Sequence, residues 1–310
     1  MVNTRIDLPI VMVWVAAMGV GIVEWFRSRR RGRGVSIIIP FRAPRTNDER
    51  VRNLEWLKWY WRTQLPGAEL IIGDDPETKK AFSKSVAINR AVARSTGDVL
   101  VLVDADGFIT ADSLMHCVSE IRKARKRGHK LWFVPYRRFY RLTNKATMRI
   151  INSDPRHPYE FPEELAKEDY LNNDPDTAKA HWYGAVIQVL SREAFDTVGG
   201  WDERFRGWGG EDAAALRATD TLYGPHKTLP GRVLHLWHPM LSKAGSADMV
   251  HFKERMWEGQ DNPEVNRHLS YRYYRATGDR SLMRKLVNEG RVTMTVQAPD
   301  HPITDVQQSA

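Results

Sequence analysis

The chain has 310 residues, 42% of them hydrophobic and 27% charged, with a net charge of +9. This balance excludes disorder on the scale of the whole chain and leaves room for one sizeable α/β domain with appendages. A single cysteine, Cys117, excludes an intrachain disulfide framework and a cysteine-rich zinc site.

Leu8 to Val23 carries no charged residue, and Trp25 and the run Arg27, Arg29, Arg30, Arg31 and Arg33 follow it. That length is at the short end for a membrane-spanning helix. Tryptophan at the border and arginines beyond it fit a span whose following part lies in the cytoplasm. A secretory signal has the reverse order of charge and apolar stretch. Residues 1–34 are therefore expected to be a membrane anchor and basic linker. Because the positive excess is partly local, no nucleic-acid partner is expected.

Val35 to Pro40 is a continuous β-branched apolar run and reads as a buried parallel strand. Asp48 to Gln64 reads as a helix with an apolar stripe at Val51, Leu54, Leu57 and Trp61. Leu70 to Gly73 is a second strand, ending in Asp74-Asp75-Pro76. Phe82 to Ser95 has helical spacing. Asp98 to Val103 is a third buried strand, with Asp104-Ala105-Asp106-Gly107 at its carboxyl end. A basic helix, Ser113 to Arg127, precedes a strand at Leu131 to Pro135. Strand and helix alternate as in an open, mostly parallel α/β sheet, where ligands bind beyond the carboxyl ends of the strands. Arg137 to Lys179 is polar and reads as an insertion or mobile loop region (137–180). Ala185 to Leu190 is another strand, and Gly199 to Gly210 is a glycine- and tryptophan-rich turn region. Glu211 opens a helix, and Arg232 to Trp237 is a short strand. Residues 241–310 form a helical extension with a disordered tail.

Three constellations can carry chemistry. Asp104 and Asp106 offer hard oxygen ligands for Mn2+ or Mg2+, which can neutralise a diphosphate. The same text fits a turn capped by aspartates. It also fits the nucleophile motif of a haloacid-dehalogenase-like phosphatase with Asp104 attacking phosphorus. A calcium loop is excluded, because its first and last ligand positions fall on Leu102 and Ser113. In Gly207-Trp208-Gly209-Gly210-Glu211-Asp212, Trp208 can stack on a sugar and a carboxylate at a helix start can accept a proton. His235 and His238 can ligate a transition metal, but on a regular strand they would not share a face, so at most one is expected to bind.

These motifs resemble, in order, those of a family-2-like GT-A fold glycosyltransferase. The likeness is to the β-1,4-galactosyltransferase group and the catalytic region of polypeptide N-acetylgalactosaminyltransferases, over roughly Val35 to Pro239. The resemblance implies a catalytic domain at 35–240 that takes a sugar from a nucleotide donor, such as a UDP-sugar, to a glycan, lipid or protein acceptor. It implies donor contacts at Pro40, Phe41, Arg42, Asp74, Phe82, Lys84, Asp104, Tyr183, Gly184 and Trp208. Acceptor contacts fall on Trp208, Gly209, Gly210 and Glu211. The metal, Mn2+ or Mg2+, falls on Asp106 and His235, with Asp104 and His238 as alternatives. Asp212, beside Glu211, would be the base of an inverting transfer; an inactive sugar-binding module is the other outcome. The chain departs from the family at Ala213-Ala214-Ala215, where more polar residues are usual.

Overall fold

The computed structural model describes residues 30–43, 48–174, 185–207, 209–239 and 263–297. The chain runs β1 (Val35–Pro40), α1 (Asp48–Gln64), β2 (Glu69–Gly73), α2 (Lys84–Arg94), β3 (Val99–Val103), β4 (Gly107–Phe108) and α3 (Ala111–Lys126). It continues through β5 (Phe133–Val134), β6 (Arg138–Leu142), α4 (Asn144–Ile151), β7 (Tyr170–Asp174), β8 (Ile187–Ser191) and α5 (Arg192–Val198). The described part ends with α6 (Glu211–Leu222), β9 (Lys227–Thr228), β10 (Arg232–His235), α7 (Pro263–Arg275) and α8 (Arg280–Gln297).

Among the described residues the strands form a six-stranded sheet, β2-β1-β3-β8-β5-β9, and a four-stranded sheet, β4-β10-β6-β7. β1, β3 and β8 are buried at every position, as strands covered on both faces must be. Leu54, Leu57 and Trp61 of α1 join the core that surrounds them, together with Leu114, Val118 and Ile121 of α3. Val51, expected on the apolar stripe of α1, is exposed instead. The pairs β1–β2, β1–β3 and β5–β9 are parallel, while β8 runs antiparallel to both β3 and β5. The sheet is thus mixed.

The region 137–180 departs from the loop expectation within its described part. Tyr140 and Leu142 of β6 are buried beneath flanking arginines, and β6 pairs with β10 and β7. The Thr143 side chain accepts from the Ala146 amide and caps α4. The segment is polar because its strands form the outer part of a small sheet, not because it lacks structure. At the other end, α6 packs on α7 and α8 through Ala214, Ala218 and Leu222 against Leu269, Tyr273, Met283 and Leu286. The helical extension is two helices, broken where Gly278 adopts a φ of 82°. Among the described residues no helix is long and apolar enough to cross a membrane. The expected anchor, Leu8 to Val23, and the expected disordered tail, residues 298–310, lie outside them.

Helix α2 rests directly on the end of β2. A β-carbon at Gly73 would collide with the carbonyl of Ala87. Gly73→Ala is therefore expected to cost about 1–3 kcal/mol and to lower the melting temperature by roughly 2–4 °C per kcal/mol. An unchanged thermal melt would show that α2 does not bear on this strand.

Candidate active site

The site lies at the carboxyl edge of β1, β2 and β3. Beyond Val103, the Asp104 amide donates to the Val186 carbonyl and the Gly107 amide returns to the Asp104 carbonyl, closing a tight turn. That turn feeds β4, which pairs antiparallel with β10 so that Gly107 faces His235. The Leu236 amide donates 2.6 Å to the Asp106 carbonyl and locks the register. Backbone pairing thus carries Asp106 to the histidines. His235 Nε2 lies 3.3 Å from Asp106 Oδ1, and His238 Nε2 lies 3.1 Å from Oδ2. β10 ends at His235. The strand alternation that would separate the two histidines therefore stops before His238, and both imidazoles reach one carboxylate. The expectation that the two would not share a face is corrected.

Their ligand atoms all lie within 4.8 Å of one another, and Asp106 and His235 are both buried. Asp106 Oδ1 and His235 Nδ1 are buried and have no hydrogen-bond partner. A cation would satisfy the orphaned carboxylate oxygen, so the residues present fit one. Burial alone would raise the Asp106 carboxyl, but His235, His238 and Arg50 hold it far below the usual carboxylate range. Burial pushes the His235 imidazole down to about 3, with Arg141, His238 and Arg50 adding to the effect and Asp106 opposing it. An ionised carboxylate and a neutral imidazole are the protonation states that metal ligands require.

Asp104 faces a different partner. Lys84 Nζ lies 2.5 Å from Asp104 Oδ1 and 2.7 Å from Asp212 Oδ1, and sits 5.4 Å from the Trp201 ring centroid. One ammonium therefore joins the end of β3 to the start of α6. Burial opposes its charge, yet Asp104, Asp212 and Glu211 together raise the Lys84 ammonium well above its ordinary value. Burial pushes the Asp212 carboxyl up to about 8; Glu211 and Asp104 push the same way and Lys84 opposes them. Asp104 is raised as well, chiefly by burial. Tyr136, whose hydroxyl accepts from the Val186 amide at 3.0 Å, is buried close enough to Asp104 and Asp212 to feel their charge.

Helix α2 also holds the loop that leads to Asp212. Ser83, its N-cap, donates to the Phe205 carbonyl, and the Gly207 amide donates to the Phe82 carbonyl. The Asn89 amide group bonds the main chain of Trp201 in both directions. Gly210 takes a φ of 90° at the start of α6, and the buried Glu211 carboxylate accepts from the Gly209 amide at 3.1 Å. Glu211 thus braces its own loop.

A third group lies beside β2. Asp75 is buried and receives the Ser83 and Glu77 amides, Arg42 at 3.0 Å and Arg206 at 3.4 Å. The Arg42 guanidinium stacks over Phe82 at 5.2 Å. Asp74, the residue expected here, instead pairs with Arg94 on the exposed side. Adjacent residues leaving a strand point apart, and it is Asp75 that turns inward. Pro40 and Phe41 lie at the end of β1, where the Phe41 amide donates to the Gly73 carbonyl. Tyr183, Gly184 and Trp208 lie outside the described residues.

Ser83, Asn89 and Tyr136 were not singled out from the sequence, and Asp75 only as one of the pair Asp74-Asp75. Only Ser83, one residue before a helix with an apolar stripe, carries a local signal, that of an N-cap. The partners of the others are distant in sequence and carry none.

With this geometry in place, comparison with known proteins gives one family. Residues 68–221 match the model described as "Glycosyltransferase like family 2". No curated protein matches the chain. Among solved structures, the catalytic domain of Drosophila β1,4-galactosyltransferase 7 with xylobiose is 15% identical, over 69% of this chain and 68% of that one, at a TM-score of 0.34. A mutant of that enzyme with manganese, UDP-Gal and xylobiose is 14% identical over the same shares, at a TM-score of 0.33. GalNAc-T7 with UDP, GalNAc and Mn2+ is 17% identical, over 83% of this chain and 55% of that one, at a TM-score of 0.40. The chain carries a glycosyltransferase family 2-like domain, and it is a glycosyltransferase.

Proposed function

We propose that the enzyme transfers a sugar from a UDP-sugar to an acceptor hydroxyl with inversion, using Asp212 as the base. The observation that carries this reading is the meeting, at one sheet edge, of two neighbouring groups of different character. One is the Asp106, His235 and His238 cluster. The other is the carboxylate pair of Asp104 and Asp212 bridged by Lys84.

Asp106, His235 and His238 would hold the metal, and two imidazoles make Mn2+ a better fit than Mg2+. When bound, it supplies charge neutralisation for a departing diphosphate. Arg42, stacked on Phe82 and tied to Asp75, offers a flat cationic surface for the nucleotide. Lys84 fixes the Asp212 carboxylate in one orientation before the acceptor arrives. The raised affinity of Asp212 for a proton makes it a stronger base than an exposed aspartate. The Gly209 amide, held by Glu211, keeps the approach to Asp212 lined by backbone. In this proposal residues 35–240 are the catalytic domain, and the segment before them tethers it to the cytoplasmic face of a membrane.

Two measurements test the reading. Asp212→Asn should lower kcat/KM by about 10²–10⁴ while Mn2+-dependent binding of UDP-sugar, read by calorimetry, persists. Retained turnover in that variant would remove Asp212 from the role of base. The pH profile gives the sign independently. Asp212 must be ionised to accept a proton, so kcat/KM should rise with pH to a limb near 8, the position set by its raised carboxyl. A limb at about 4, the range of an ordinary aspartate, contradicts the assignment. The same shift implies that the folded state holds a proton that the unfolded state releases. Stability should therefore fall as pH rises from about 4 toward 8, and Asp212→Asn should flatten that fall.

The metal is tested apart from turnover. Asp106→Asn or His235→Ala should weaken Mn2+ binding by at least about ten-fold, given that even outer-shell changes cost 10–100-fold. Mn2+ electron paramagnetic resonance in the absence of donor reads this directly, and unchanged affinity in both variants would place the ion elsewhere.

A further inference from the structure

The edge of the sheet opposite the site has its own chemistry. Helix α3 starts just after the Asp104–Asp106 turn and leads away from it, so its carboxyl end reaches the edge where β1 and β3 begin. Contacts fix that placement. Arg122 donates to the Arg33 carbonyl at 2.9 Å, and Arg122 and Arg125 pair with Asp98 at 2.6 and 3.1 Å. Asp98 stands immediately before β3.

The face built there is basic. Arg30, Arg33, Lys123, Lys126, Arg127 and Lys130 are all exposed. Two of its acids are engaged: Asp98 by the two arginines, and Glu120 by Lys123 at 2.8 Å. Glu193 and Asp196 bound the face across an open cavity of about 650 Å³. The described chain also begins on this face, at Arg30, and the Gly67 amide holds the Arg31 carbonyl there. The uncharged stretch Leu8 to Val23 therefore precedes, in sequence, the residues that open this basic face.

We propose that the carboxyl end of α3 and the turn at residues 30–34 form a docking surface for an anionic bilayer. Clustered lysines and arginines bind such surfaces by charge alone, each contributing about five-fold in affinity. The orientation has a consequence for the acceptor. From Asp98 to Asp104 the chain extends along β3, roughly 20 Å at about 3.3 Å per residue. The metal cluster then faces away from the bilayer. An acceptor must reach that far, as a glycan or an extended lipid-linked chain does and a short lipid headgroup does not. The inference rests on the membrane tether of the proposed function only for the proximity of the lipid.

The full chain, mixed with vesicles of phosphatidylcholine alone or with about one third phosphatidylglycerol, tests it by flotation and by hydrogen exchange at residues 122–130. The expected result is exchange slowed at least about five-fold on anionic vesicles only, reversed by high salt and by Lys123→Gln/Lys126→Gln/Arg127→Gln. Unchanged Mn2+ binding reports that this variant is folded, and the salt arm needs no variant. Flotation with both vesicle types without lipid-dependent protection overturns the docking surface and leaves the tether standing. Flotation with anionic vesicles alone, with the protection, supports docking and removes the tether. Flotation with neither overturns both.

Discussion

The site depends on one partly buried ammonium. Asp104, Asp212 and Glu211 gather where β3 ends and α6 begins, and burial makes their mutual repulsion expensive. Lys84 lies within 2.5 and 2.7 Å of two of them. A compact point charge suits this better than the wide fork of an arginine, because the two acceptors come from different elements and each meets the ammonium through one oxygen. The arrangement is not stabilising for its own sake: the Asp212 carboxyl remains well above its ordinary value despite the lysine. The fold therefore holds a strained electrostatic balance at this edge, as preorganised sites do.

That balance needs α2 to be rigid, and the rest of the structure provides for it. Its amino end is capped by Ser83 and its body rests on β2 without space for a β-carbon at Gly73. Ser83 and Asn89 then tie it to the loop that runs to Asp212. The Asp106, His235 and His238 cluster is held independently, by the pairing of β4 with β10. Two neighbouring halves of the site are thus positioned by two different sheets. Charge on one half reaches the other through Asp104 and Asp106, whose carboxylates repel.

How much of this was legible in the sequence follows from how local each determinant is. β1, α1 and β3 were readable because a strand buried on both faces must be apolar at every position, and a packed helix must show a stripe. The motif Asp104-Ala105-Asp106 was readable as a pair of carboxylates, but not as two residues with different partners. Ala105 turns into the core between them, and only the fold shows Lys84 on one side and His235 on the other. β6 and β7 were missed because arginines interrupt the apolar residues of β6 and β7 is mostly polar. His238 was misplaced because the end of a strand depends on its neighbours, not on its own residues. Asp75 was passed over for Asp74 because two adjacent aspartates look alike until Arg42 and Arg206 arrive from distant segments.

The departure at Ala213-Ala214-Ala215 has a physical account. Ala214 and Ala218 lie against α7 and α8, with Leu269, Tyr273 and Met283 as neighbours. A longer polar side chain at Ala214 would stand where those helices pack, so that alanine records the close approach of the extension, while Ala215 packs in the main core. The same contact reaches the loop before α6, since a β-carbon at Gly210 would collide with the hydroxyl of Ser270 on α7. The carboxyl-terminal helices therefore wall the start of α6. They hold Gly210, Glu211 and Asp212 against the lysine, and a family position usually given to polar residues serves packing in this chain.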